Sequence, residues 1–130
     1  MRYLNLFNRV TRIRANHCFL YNNMVIFAVP KNKVAKAIGP NNSNLKKISE
    51  ILSKRIRIVA EPEGREDLTK FVTTVVSPVQ FKSIEAKDSE VVITAGREGK
   101  ARLIGRGRIR QKELQNILEQ YFGIKILRFA

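Results

Sequence analysis

Residues 34–44, VAKAIGPNNSN, and residues 100–110, KARLIGRGRIR, decide how this chain is built. Each runs through an Ile-Gly pair into a longer amphipathic segment, reading Ile38-Gly39-Pro40-Asn41-Asn42 in the first and Ile104-Gly105-Arg106-Gly107-Arg108 in the second. A glycine just past a helix has an ordinary use, because it adopts positive φ without a Cβ penalty. It also leaves the backbone open beside the start of the next helix, where unpaired N–H groups and the dipole favour a phosphate. Cations surround both loops. Lys33, Lys36, Lys46 and Lys47 flank the first, and Arg102, Arg106, Arg108, Arg110 and Lys112 flank the second, so the anion-binding pattern occurs twice.

Working outward from the first loop, Lys33 to Ile38 reads as a short helix stopped by Gly39 and Pro40. Asn42 to Ser53 reads as an amphipathic helix with Leu45, Ile48, Ile51 and Leu52 on one stripe. Arg55 to Ile58 alternates with period two, as a half-buried strand does. Upstream, residues 3–10 form a helix, Ile13 to Tyr21 and Val25 to Val29 form strands, and Asn22-Asn23 turns between them.

The segment Glu61 to Asp67 holds four of the chain's 11 acids with a proline and a glycine, which places a domain boundary there, between residues 1–61 and 62–130. Beyond it, the expected elements are a helix Leu68 to Val76 ending before Pro78, strands Val79 to Ile84 and Glu90 to Ala95, a helix Arg97 to Ile104, a loop Gly105 to Arg108, a helix Ile109 to Phe122 and a strand Ile124 to Phe129. The order repeats. A shift of 66 positions lays Ala35 on Ala101, Ile38 on Ile104, Gly39 on Gly105, Lys46 on Lys112, Ile51 on Ile117 and Leu52 on Leu118. An internal duplication accounts for both the identities and the order.

The chain's 130 residues hold 25 Lys and Arg against 11 Asp and Glu, a formal net charge of +14. Residues 1–60 carry 12 of the bases and one acid, Glu50, whereas residues 61–130 carry 13 bases and 10 acids. Polyanions are the natural partners of such a chain. The single Cys18 excludes an internal disulfide framework and a multi-cysteine zinc site, and suits a reducing cytoplasm. It is expected to be buried as a small hydrophobe. No stretch approaches transmembrane length, so no membrane partner is expected. No P-loop, nucleophile-elbow or metal-ligand spacing appears, which argues against an enzyme and against a cofactor. His17 beside Cys18 reads as a structural pair rather than a nucleophile pair, because strand neighbours point to opposite faces and no orienting third group is evident.

The Lys36-Ala37-Ile38-Gly39 run, Asn44, the hairpin containing Cys18 before Val25-Ile26-Phe27-Ala28-Val29, the Arg57-Ile58-Val59 strand, the Phe71 to Pro78 spacing and the second Ile104-Gly105 together resemble the KH family, and most closely the archaeal NusA-like proteins with two tandem KH domains. The resemblance implies an α+β fold of two type II KH domains, each a small three-stranded mixed sheet packed by helices. It implies that each loop clamps single-stranded RNA, with Lys33, Lys36, Ile38, Gly39, Pro40, Asn41, Asn42, Asn44, Lys46 and Lys47 on the first RNA site and Arg102, Ile104, Gly105, Arg106, Gly107, Arg108, Arg110 and Lys112 on the second. The family's second loop glycine is replaced by Asn42 and by Arg108, and Pro40 removes one backbone donor. Asn42 is suited to left-handed φ and to capping the next helix. Val34, Ala37, Ile38 and Ile56 are candidates for a floor under the bases, or simply core.

The function implied is a transcription elongation, termination or antitermination factor on nascent RNA, with RNA polymerase as the other partner to consider. The acidic segment Glu61 to Asp67 with Leu68 and Phe71 reads first as a solvated linker and second as a surface for such a partner. A ribosome-associated or RNA-processing KH protein has the same features.

Overall fold

The computed structural model describes residues 2–130, which divide into two units, residues 2–62 and Glu63–Ala130. In the first, helix α1 (Arg2–Thr11) precedes a hairpin of strands β1 (His17–Tyr21) and β2 (Met24–Val29), followed by helices α2 (Val34–Ile38) and α3 (Ser43–Leu52) and strand β3 (Arg55–Ala60). The sheet order is β1-β2-β3, antiparallel between β1 and β2 and parallel between β2 and β3. Asn22 and Asn23, at φ 51° and 60°, close the hairpin, as two-residue turns matched to strand twist require.

All six residues of β2 are buried, which suits a central strand with a parallel neighbour. Val25, Phe27 and Val29 meet Phe7 of α1, Ala37 of α2 and Ile48 of α3 in one core. Phe7 stacks on Phe27 with ring centroids 4.5 Å apart. Burying side chains of this size stabilises by about 1.5–3 kcal/mol each. The first helix ends where the Thr11 hydroxyl donates to Phe7 O and accepts from the Ile13 amide. Those bonds hold Ile13 in the turn, so β1 begins at His17 and not at Ile13.

The second unit repeats the order: α4 (Leu68–Val76), β4 (Ser83–Lys87), β5 (Glu90–Thr94), α5 (Arg97–Ile104), α6 (Ile109–Phe122) and β6 (Ile126–Phe129), with sheet order β4-β5-β6 and again an antiparallel then a parallel pair. Its core takes Val72 and Val75 from α4, Val91 and Ile93 from β5, Leu103 from α5 and Leu114 and Leu118 from α6. Two expected strands start later than the apolar pattern indicates. The Val79 amide bonds to Val76 O in a turn leaving α4, so β4 starts at Ser83. The Ile124 amide bonds to Leu118 O after Gly123, at φ 67°, closes α6, which delays β6 to Ile126.

Leu68 and Phe71 are 5% and 4% exposed, and Phe71 packs edge-on against Tyr121 and Phe122. They belong to the core on the buried face of α4, so of the segment considered as a polymerase surface only the acidic residues remain available, which suits the alternative reading of a solvated linker.

Candidate nucleic-acid interface

The two loops have the same backbone. Gly39 ends α2 at φ 82°, ψ 165°, and Gly105 ends α5 at φ 75°, ψ 170°, a region that side chains other than glycine's hydrogen scarcely enter. The third loop residue is left-handed in both, Asn41 at φ 54°, ψ 32° and Gly107 at φ 62°, ψ 23°. So is the fourth, with Asn42 at φ 61°, ψ 27° and Arg108 at φ 64°, ψ 22°. The hydrogen bonds match as well. The Gly39 and Gly105 amides donate to Ala35 O and Ala101 O, and the Asn42 and Arg108 amides donate to Gly39 O and Gly105 O. Replacing the second glycine therefore changes the side chain and leaves the path of the chain alone.

Asn42 sits at the N-cap of α3 but makes no side-chain cap bond, contrary to the capping expectation, because its left-handed backbone is not the extended conformation a capping side chain uses. Arg108 makes none on α6. Neither helix has an acid in its first turn. Both helix starts thus keep their positive dipole ends uncompensated by side chains, which is the condition under which a phosphate is held there.

The glycines are also required by packing. A Cβ on Gly39 would come within 2.7 Å of Ser43 Oγ and 3.0 Å of Asn44 Nδ2, and one on Gly105 within 2.7 Å of Arg110 Cγ. Asn44 and Arg110 occupy the same place over the two loops. Asn44 Nδ2 donates to Ala37 O at 3.1 Å, tying α3 to the end of α2. Arg110 pairs with Glu113, and its side chain is only 16% exposed. Both are candidate site residues, and both side chains lie beside the loop glycine of their unit.

The other candidates divide cleanly. Lys33, Lys36, Pro40, Asn41, Asn42, Lys46 and Lys47 are exposed in the first unit, as are Arg102, Arg106, Gly107, Arg108 and Lys112 in the second. Ile38 and Ile104 are half-buried at the helix ends. Of the proposed base floor, Ala37 is fully buried, whereas Val34, Ile38 and Ile56 are partly buried over the core.

Beside the second loop lies a groove of about 460 Å³ lined by Ile104, Arg108, Gln111, Leu127, Arg128 and Phe129. Gln111 and Arg128 went unread in the sequence. Gln111 Nε2 donates to Leu127 O and Gln115 Nε2 to Ile124 O, so these amides fix α6 to the last strand and its approach. Arg128 is opposite Val92, as Arg57 is opposite Ile26, and the two therefore hold one register position. A uniform shift of 66 misses this match because α6 has 14 residues and α3 has 10. Burial, reinforced by Arg55 and opposed by Tyr21, lowers the pKa of Arg57 below the usual arginine value, although a guanidinium remains charged at neutral pH.

Cys18 is half-buried, and burial pushes its thiol pKa up, away from the thiolate a nucleophile needs. His17 Nδ1 lies 3.3 Å from Glu61 Oε1, and Asn16 Nδ2 donates to Glu61 Oε2, which anchors the chain leaving β3. Among the described residues no three His, Cys, Asp or Glu side chains gather as a metal site, and no helix is long and apolar enough to cross a membrane.

No family model matches the chain. It is 23% identical to a probable transcription termination protein NusA of Halococcus morrhuae over 133 residues, covering 100% of this chain and 94% of the relative. It is 24% identical to a protein of the same description from Thermoplasma acidophilum, over 95% of this chain and 87% of the relative. Among solved structures, the crystal structure of APE1850 is similar at a TM-score of 0.69 with 27% identity, over 99% of this chain and 96% of that one.

Proposed function

From a chain that is NusA-like along its whole length, we propose that each unit is a type II KH domain, and that the pair binds single-stranded RNA as a transcription termination or elongation factor acting on nascent transcript in the cytoplasm. The observation that carries the proposal is the loop built twice. One backbone path, with three positive-φ residues between two helices, is made from Gly39, Asn41 and Asn42 in one unit and from Gly105, Gly107 and Arg108 in the other. A conformation kept through such different residues suits a demand on the backbone itself, and a phosphate against the start of a helix makes that demand. Exposed lysines in the first unit and arginines in the second supply the counter-charge, which supports a binding role. The first loop lacks an N–H at Pro40 where the second has one at Arg106, so the second holds RNA with one more backbone donor and with side-chain cations at Arg106 and Arg108.

Fluorescence anisotropy with a labelled single-stranded RNA tests this. The double charge reversal Lys36→Glu with Lys47→Glu touches only exposed side chains and is expected to weaken binding about tenfold, ~1.4 kcal/mol. It should also flatten the log-log salt dependence by about 0.7 for each phosphate that is no longer neutralised. The pair Arg106→Glu with Arg108→Glu tests the other loop in the same way. Unchanged affinity and an unchanged salt slope in both variants would overturn the proposal.

A further inference from the structure

At the end of α3 farthest from its loop, Arg2, Tyr3, Asn5, Leu6 and Arg9 of α1 and Leu52 of α3 line a groove of about 410 Å³. Tyr3, Leu6 and Leu52 are half-buried and rest on the core of the unit, so the apolar floor is fixed in place. Arg2, Asn5 and Arg9 stand exposed at the rim. None of the six is acidic, and Glu50 is the sole acid in the first 60 residues, so nothing neutralises the rim from within the lining.

The other unit shows that the fold does not require this surface. Its first helix, α4, exposes Thr69, Lys70, Thr73 and Thr74. The hydroxyls of Thr73 and Thr74 are turned back onto Thr69 O and Lys70 O of the same helix. Among the described residues, an apolar floor between two exposed arginines is thus particular to the first unit.

The spacing describes the ligand. Arg2, Leu6 and Arg9 share one face of α1, and the two arginines are separated by about 10.5 Å along the axis. A chain in the polyproline II conformation advances about 3.1 Å per residue with three residues per turn, so two carboxylates three residues apart lie on one side about 9.3 Å apart, close to that separation, and a residue between them turns toward Leu6 and Leu52. We propose that the groove docks a short acidic segment of a partner protein, in which two carboxylates pair with Arg2 and Arg9 around a leucine- or phenylalanine-sized anchor. The ten residues of α3 hold Leu52 about 13 Å from Ser43, far enough for the loop to be occupied at the same time. The inference does not rest on the RNA-binding proposal.

The test is an amide NMR titration of the full chain with a short peptide centred on Glu-Leu-Phe-Glu. The expected result is saturable shifts at Tyr3, Leu6, Arg9 and Leu52, an affinity reduced about tenfold by Arg2→Glu with Arg9→Glu, and no comparable shifts there with oligouridylate. A control peptide with serines at the two central positions should bind about tenfold more weakly, and this comparison needs no variant to fold. Equal binding of the serine peptide would reduce the site to bare charge attraction and overturn the proposal. So would oligouridylate shifting the same residues, or the acidic peptide shifting none of them.

Discussion

Arg108 holds a left-handed backbone, φ 64° and ψ 22°, at a position where glycine is relaxed. That conformation costs a residue with a Cβ about 1–2 kcal/mol, offset in part by the unfolded-state entropy that glycine would bring. Arg108→Gly is therefore expected to leave stability unchanged or raise it by up to about 1 kcal/mol while weakening RNA binding, because the cation leaves with the strain. Thermal melts read alongside anisotropy check this, and a fall in both would assign Arg108 a structural duty. Gly39 is a poor probe by comparison, since any side chain there meets Ser43 and Asn44 as well as an approaching ligand. At this scale the sequence was legible where a residue has a single physical use. Gly39 and Gly105 announced their dihedrals, and Lys36, Lys47 and Arg106 announced their exposure. Asn44 and Arg110 did not announce theirs, because a polar side chain on the first turn of a helix faces ligand or loop according to packing that no local pattern encodes.

Elements were legible wherever periodicity and stop signals agree. Helices α5 and α6 run over the residues that the pattern and Gly105 delimit, and α3 is bounded by left-handed Asn42 and Ser53 one residue inside the expected limits. Strand starts were less legible. Ile13 and Val79 are apolar enough for a strand, but their amides are taken by Thr11 and Val76 in turns, a competition settled by helix termination and not by hydropathy. The helices that carry the loops are held through their buried faces, so Leu114→Ala in α6, fully buried as Leu103, Leu118 and Val91 of the same unit are, is expected to cost about 2–5 kcal/mol. Chemical denaturation measures it. A cost below 1 kcal/mol would mean that α6 is not anchored as described and that the second loop lacks a rigid support.

Across the whole molecule, charge and duplication pointed to the same conclusion from independent evidence. The excess of bases over acids called for a polyanion, and the repeat supplied two equivalent places to hold one. The duplication was readable through α6 and then lost, because the longer helix shifts the last strand and hides the match of Arg57 with Arg128 until strand pairing restores it. The central claim, that both loops face the backbone of single-stranded RNA, is tested most directly by an amide NMR titration of the full chain with an oligouridylate, repeated with a duplex of equal length. The account predicts saturable shifts at Asn41 and Asn42 and at Gly107 and Arg108, with the duplex bound more weakly. Shifts scattered over exposed lysines and arginines with the loop amides unmoved, or equal affinity for the duplex, would contradict it.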